Sequence, residues 1–356
     1  MSIKSGDLPG NVFTVLSEGE EGGSCRGFLC RALPDGGYDF LYPVRRAREE
    51  RKKMKRTLTF LAALLLVLGL AACKQAVIPP AEAPESAGIT VTDHMGRTVA
   101  LTAPAEKIVS LTPANTEILY ALGAGDRLVG RDSYSLYPEE AADLPVVGDY
   151  TGPNVEAVIA LEPDLVLVSN YLPEETVAQL EDAGIAVAGI EATLYEDIPA
   201  SIEMVAALTG ADAKPVLDAI AAAEQEVAER AAGAAQPTVY YVMSFGDYGN
   251  WTGGKLSFIN TMIRKAGGVP VTDTVESESA WFEYSLEQLV AADPDILLFD
   301  SYAGDPAALA EAEGYKELSA VKEGRVYIVD ADIISRPGPR IAQALTTIAD
   351  LLHPKT

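Results

Sequence analysis

Histidine and cysteine are almost missing from this chain, and their scarcity removes most of the chemistry a protein of this size can carry. Only two histidines occur in 356 residues, His94 and His353, and the three cysteines, Cys25, Cys30 and Cys73, all precede residue 74. Past Cys73 no intrachain disulfide and no thiolate metal site can be built. There is no G-x-S-x-G elbow, no P-loop and no H-E-x-x-H. Gly123, Gly125 and Gly130 follow a helix pattern instead of joining a strand to one, which excludes a dinucleotide loop. A hard cation held by carboxylates alone lacks an EF-hand-like loop. Both histidines are expected at the surface, His94 in a turn and His353 beyond the last helix. The chain is therefore expected to be no enzyme, to hold no metal and to need no cofactor. Basic residues are also scarce, 27 against 52 acidic, for a formal net charge of -25. That balance excludes nucleic acid as a partner, because phosphates demand Lys and Arg.

What remains suffices for two ordinary domains, since 48% of the residues are hydrophobic. Charge is unevenly distributed. Residues 1–73 hold 11 of the basic and 8 of the acidic residues, leaving 16 against 44 for the rest. Within that first part, Arg51 to Arg56 reads R-K-K-M-K-R, Thr57 to Ala72 is uncharged and apolar, and Leu70-Ala71-Ala72-Cys73 ends the run. A basic region, an apolar region and a small-residue cleavage site make a signal peptide. The apolar run is shorter than the roughly 20 residues of a bilayer span. The ending is similar to a bacterial lipobox, which implies acylation of Cys73. A signal peptide is read at an N-terminus, so translation is expected to begin at Met54, with residues 1–53 an extension that shows no sustained periodicity. Residues 54–73 are then the signal and 74–88, rich in Pro, Ala and Glu, a flexible tether.

From Ile89 the pattern is regular. Residues 89–99 make a hairpin about a turn at Asp93 to Gly96, and short apolar strands then alternate with helices, which implies α/β layers. One segment returns after residue 236: V-E-A-V-I-A-L-E-P-D-L-V-L-V-S-N-Y at 155–171 against L-E-Q-L-V-A-A-D-P-D-I-L-L-F-D-S-Y at 286–302. Glu156 pairs with Glu287, Pro163 with Pro294, Asp164 with Asp295 and Tyr171 with Tyr302. Two related lobes, residues 89–212 and 236–356, follow from this repeat. Between them, residues 213–235 are rich in Ala, Glu and Leu and predict one long helix, which favours a modest rocking over a wide hinge motion.

The stretches E-K-I-V-S-L-T-P-A-N-T-E-I-L-Y-A-L-G (106–123), Y-P-E-E-A-A-D-L-P-V-V-G (137–148), the repeated segments above, A-G-G (266–268) and R-P-G-P-R (336–340), behind a lipobox, resemble the solute-binding proteins of bacterial iron-siderophore, haem and cobalamin importers. The resemblance spans residues 89–354. It implies two Rossmann-like α/β lobes joined by a rigid helix, a ligand in the cleft between them, and extracytoplasmic delivery to an ABC permease and its ATPase, the lipid anchor holding the protein to the membrane. A ferric siderophore is the leading expected ligand, with a corrinoid or haem as the alternative, and an enzyme or sensor on the same scaffold as the competing class.

Open α/β sheets bind ligands at the carboxyl ends of their strands. Loops there carry Thr112, Tyr134, Tyr150, Tyr171, Tyr248, Trp251, Trp281, Phe282 and Tyr302, and aromatic residues suit a bulky amphipathic ligand. Arg131, Lys255 and Arg336 are the basic candidates; an anionic chelate needs them, whereas cobalamin is held largely by the aromatics. The resemblance also implies an acidic residue on each lobe that meets arginines of the permease. Glu117 matches on the first lobe, and on the second Arg264 stands where an acid is common.

Overall fold

A computed structural model describes the strands within residues 2–43, together with residues 88–149 and 152–354. The chain divides into two compact units, residues 1–82 and 83–356. In the first, strands β1 (Ser2–Lys4), β2 (Val12–Ser17), β3 (Arg26–Ala32) and β4 (Tyr38–Pro43) pair in that order as an antiparallel sheet. The sequence shows no sustained periodicity there because each run is short, and Gly-rich stretches interrupt them. The expected signal peptide, Cys73 and the tether up to residue 87 lie outside the described residues.

In the second unit, β5 (Ile89–Thr92) and β6 (Thr98–Leu101) form the expected hairpin. Buried Asp93 builds its turn, accepting from the backbone N–H of Met95 and Arg97, and its other oxygen accepts from Gly189 N–H at 2.9 Å. The hairpin is thereby fastened to the edge of the first lobe's sheet. That sheet comprises β7 (Ile108–Ser110), β8 (Leu128–Asp132), β9 (Val146–Asp149), β10 (Gly152–Pro153), β11 (Leu165–Val168) and β12 (Ala186–Gly189), in the order β10-β9-β8-β7-β11-β12. All pairs are parallel except β9 with β10. Helices α1 (Pro113–Ala121), α2 (Val155–Ala160), α3 (Glu174–Asp182) and α4 (Ile198–Thr209) complete the lobe.

After α5 (Lys214–Ala231), the second lobe has a parallel sheet of β13 (Thr238–Val242), β15 (Val269–Pro270), β17 (Ile296–Asp300) and β18 (Val326–Val329), in the order β15-β13-β17-β18. A separate hairpin pairs β14 (Trp251–Gly253) with β16 (Trp281–Glu283). Its helices are α6 (Phe258–Lys265), α7 (Leu286–Ala292), α8 (Pro306–Glu311), α9 (Ser319–Lys322), α10 (Ala331–Ile334) and α11 (Ile341–Leu352).

The repeat read in the sequence is a repeat of structure. In the first lobe Asp164 accepts from the backbone N–H of Glu106 and Lys107, and in the second Asp295 accepts from Thr238 N–H and hydroxyl at 2.8 Å each. Each aspartate ties the start of its own strand to the neighbouring one, β11 to β7 and β17 to β13. The backbone and hydroxyl hydrogen bonds from Thr238 hold the Asp295 carboxyl below its ordinary value. The residue before each Pro-Asp, Glu162 at φ 49° and Asp293 at φ 40°, is left-handed. Proline ends the helix, and the chain reverses through a conformation only glycine adopts without strain. Alternation matches too: Leu165, Leu167, Ile296 and Leu298 face a core shared by both lobes, while Val166, Val168, Leu297 and Phe299 face outer clusters of their own lobe.

That shared core runs through α5, whose buried Ile220 and Val227 lie two turns apart on one face and pack on α11. It is 18 residues long, about 27 Å. Helix α11 presents Ala344, Leu345, Ile348 and Leu352 to the same core, and Ile118, Ile198 and Ile202 enter it from the first lobe.

The two left-handed residues give a paired test. Glu162 makes only an exposed contact with Lys107 at 3.7 Å, whereas Asp293 accepts from the Ser319 N–H and hydroxyl at 2.7 Å each. Relief of left-handed strain, less the added freedom of the unfolded chain, should make Glu162→Gly more stable by about 0.5 kcal/mol. Asp293→Gly should be less stable by about 1 kcal/mol, since two hydrogen bonds go with the carboxylate. Urea midpoints of both variants check this, and equal shifts would contradict it.

Candidate functional site

The motif T-P-A-N-T-E opens α1 at the carboxyl end of β7, and each polar residue in it has a partner. Thr112 caps the helix by accepting from Asn115 N–H at 3.3 Å, with Pro113 in the first turn. Asn115 Nδ2 donates to Ile190 O at 2.8 Å, and the Thr116 hydroxyl donates to Ser110 Oγ at 2.9 Å. Asn115 Oδ1 is buried without a partner, and the other bonds of the motif fix the end of the sheet. Here the loops after the strands enclose a cavity of about 410 Å³ lined by, among others, Thr112, Asp132, Tyr134, Asp149, Tyr171 and Glu191.

Tyr134 is half exposed and Tyr171 is 80% exposed, so both present their rings outward. Tyr134 is aimed by buried Asp132, whose carboxylate accepts from Tyr134 N–H at 2.5 Å, from Ser135 N–H and from the Ser135 hydroxyl. The Tyr171 loop is held by Asn170, which donates to Glu191 O at 2.7 Å. Burial pushes the Glu191 carboxyl above its ordinary value, with the Asn170 N–H and nearby His94 acting against it. His94 Nδ1 accepts from Glu191 N–H at 3.2 Å, and His353 Nε2 bonds Ala266 O at 2.8 Å. Both histidines were expected at the surface; instead each is half-buried and ties two segments together.

On the second lobe Tyr248 and Tyr302 are 84% and 75% exposed. Asp300, buried, accepts from Tyr302 N–H at 2.7 Å, and its other oxygen accepts from the Tyr241 hydroxyl. Burial and this carboxylate raise the Tyr241 phenol. The tripeptide Asp-Ser-Tyr thus builds the same turn at 132–134 and 300–302. Trp251, on β14, is exposed beside buried Thr252 and Gly253. Trp281 and Phe282 differ from expectation: Trp281 packs on Tyr241 with ring centres 6.1 Å apart, and Phe282 on Tyr284 at 6.3 Å. Their rings fasten the hairpin to the lobe and are only part exposed. Tyr150 lies outside the described residues.

The basic candidates are corrected most. Arg131 is buried and donates to Asp132 O and Ala142 O at 2.8 and 2.7 Å, bracing the loop it was expected to leave for a ligand. Arg336 pairs with Asp332 at 2.7 Å and Glu117 at 3.2 Å, and lies 3.4 Å from Tyr134 O. Lys255 is exposed ahead of α6, its carbonyl accepting from Arg264. Arg264 is neutralised by Asp273 at 2.7 Å, so it does not present a free cation to a partner. Glu117, expected on the surface, is 2% exposed and held by Arg340 as well as Arg336. A carboxylate in the middle of a buried helix face has no path to an outside arginine.

Two α/β lobes on one shared core, with exposed tyrosines in loops at the carboxyl ends of strands in each lobe, have the architecture of a two-lobed solute receptor. The periplasmic binding protein family model matches residues 108–333, and the chain belongs to that family. An uncharacterized ABC transporter substrate-binding lipoprotein of Bacillus subtilis (strain 168) is 31% identical over 319 residues, 85% of this chain and 98% of its own. A cobalamin-binding protein of Halobacterium salinarum (strain ATCC 29341 / DSM 671 / R1) is 30% identical over 287 residues, 75% of each chain. Among solved structures, a periplasmic haem-binding protein from Roseiflexus sp. RS-1 superposes with a TM-score of 0.63 at 27% identity, covering 70% of this chain and 98% of that one.

Arg131 and Tyr171 separate bracing from binding. Arg131→Met should lower stability by about 1 to 2 kcal/mol, because two carbonyls lose their donor, and should leave solute affinity within about twofold. Tyr171→Ala should leave the thermal midpoint unchanged and weaken affinity by about tenfold or more. Calorimetric titration and thermal unfolding of both variants read the difference; loss of affinity in Arg131→Met would return that residue to the site.

Proposed function

We propose that this protein is the extracytoplasmic solute receptor of an ABC importer and that its solute is a corrinoid. The carrying observation is that Arg131 and Arg336 are committed to protein carbonyls and carboxylates, while most of the candidate side chains left exposed are aromatic, Tyr134, Tyr171, Tyr248, Trp251 and Tyr302, with Lys255 also exposed. An anionic ferric siderophore, the leading expectation from sequence, needs several cations, and of the three basic candidates two are committed within the protein and Lys255 is left exposed. A corrinoid has broad apolar faces and a rim of amides. Tyr and Trp bury the faces and keep a polar tip, and amide N–H groups find acceptors among the carboxylates. The relative from Halobacterium named for cobalamin supports this reading.

Acylation of Cys73 belongs to the same proposal, supported by the lipobox-like L-A-A-C and by the relative named a lipoprotein. Among the described residues no helix is long and apolar enough to cross a membrane. For docking, the repeat supplies better candidates than Glu117. Glu156 and Glu287 are repeat-related and exposed, and each lies in the first turn of a short helix, α2 and α7. A helix that returns to begin a parallel strand starts at the carboxyl edge of the sheet, the edge that faces the cleft mouth.

Two experiments test the proposal. Tryptophan fluorescence should report cyanocobalamin binding at submicromolar concentration, with a ferric tris-catecholate and haemin binding at least about a hundredfold more weakly; the tris-catecholate binding more tightly would overturn the corrinoid reading. Glu156→Arg and Glu287→Arg should each cut uptake into vesicles carrying the permease and ATPase by about tenfold or more at unchanged affinity, because like charges disturb encounter and register. Uptake at the normal rate by the double variant would remove the pair from the interface.

A further inference from the structure

Glu117 occupies a position that the binding of solute does not by itself explain. It projects from α1 of the first lobe, and its two oxygens accept from three donors of the second: Arg340 Nε at 2.8 Å, Arg340 Nη2 at 2.6 Å and Arg336 Nη1 at 3.2 Å. The side chains are 1%, 12% and 13% exposed for Glu117, Arg340 and Arg336. Arg340 also lies 4.1 Å over the ring of Tyr137, a first-lobe residue, and Gly338 brings the second-lobe backbone against Ala114 of α1. With Asp332, which pairs with Arg336 and accepts from the Tyr302 hydroxyl at 3.0 Å, two carboxylates and two guanidiniums balance.

We propose that Glu117 is the positioning residue of an inter-lobe latch: it fixes Arg340 and Arg336, and through Arg336 and Asp332 it sets the spacing of Tyr134 and Tyr302 before solute arrives. This rests on the assignment of those tyrosines to the solute cleft. The physical basis is the low-dielectric setting. A bidentate guanidinium–carboxylate pair has a narrow range of favourable geometries, and buried it cannot be exchanged for water without leaving a charge unpaired. Two α/β lobes on a common helix can rock by small shear at their contact; a latch at that contact selects one position. A receptor held in its binding position does not lose affinity to the population of open states.

The latch is tested on the full chain with Glu117→Gln, which keeps the shape and removes the charge, and Glu117→Asp, which keeps the charge. The Glu117→Leu/Arg340→Met double variant serves as the control that leaves no buried charge unpaired, since Arg336 keeps Asp332. Small-angle scattering without ligand should show Glu117→Gln and the double variant more extended than the unmodified protein, and cyanocobalamin should return them to its radius. If the competent population falls to about a tenth, affinity for cyanocobalamin weakens about tenfold, and Glu117→Asp recovers part of it. Scattering and affinity that stay at the unmodified values while only the thermal midpoint falls would show a structural ion pair and overturn the latch. Should the unmodified protein bind no cyanocobalamin, the corrinoid reading fails, while ligand-free scattering still decides the latch.

Discussion

Two sheets that share one core impose the main constraint on this molecule. Leu165 and Leu167 from one lobe and Ile296 and Leu298 from the other belong to the same apolar interior, to which α5 adds Ile220 and Val227. Pulling the lobes apart would expose that interior, at about 25 cal/mol for each Å² of apolar surface. Motion is therefore confined to what packed helices allow, and solute selection falls to the side chains already facing the cleft. This is why the state of each polar group near the cleft, bound internally or left free, determines the ligand more than the fold does.

By that criterion the net charge of -25 is a poor guide. Asp93, Asp132, Asp164, Asp295 and Asp300 each accept hydrogen bonds from backbone or hydroxyl donors of the protein. They are structural anions that tie strands and shape turns, and two of them, Asp132 and Asp300, hold the loops that carry Tyr134 and Tyr302. The arginines behave the same way: Arg97 donates to Val187 O and Arg127 to Ala105 O and Thr209 O, each bridging segments far apart in sequence.

The layered architecture, the Pro-Asp repeat and the linking helix were legible because they are local patterns. Apolar runs of four or five residues buried on both faces, as in L-V-L-V at 165–168, read as parallel strands, and the Ala- and Glu-rich run reads as a helix, ending at Ala231 instead of residue 235. Which face a side chain presents in the assembled molecule was not legible. Glu117 looks exposed beside Asn115 and Thr116, yet its partners Arg336 and Arg340 lie more than 200 residues away. Arg131 reads as the first loop residue after an apolar run, yet it lies within β8 and only its bond to Ala142 O, from a segment that returns to it, makes it a brace. One signal was available and missed: Asp-Ser-Tyr at 132–134 and at 300–302 is a turn motif whose aspartate aims the tyrosine two residues on.

Those two turns also separate ancestry of the scaffold from construction of the site. The repeat pairs β17 with β11, so the counterpart of Asp300 and Tyr302 is Ser169 and Tyr171, where Asn170 and Glu191 hold the loop instead. Asp132 ends β8, on the other side of β7, whose counterpart in the second lobe is β15. The same turn therefore arises on strands the repeat does not relate: Tyr302 shares its position with Tyr171 and its turn with Tyr134. The ion pairs between the lobes are likewise one-sided, one acid, Glu117, from the first lobe answered by two arginines, Arg336 and Arg340, from the second, so what joins the lobes is not built from the repeat that made them.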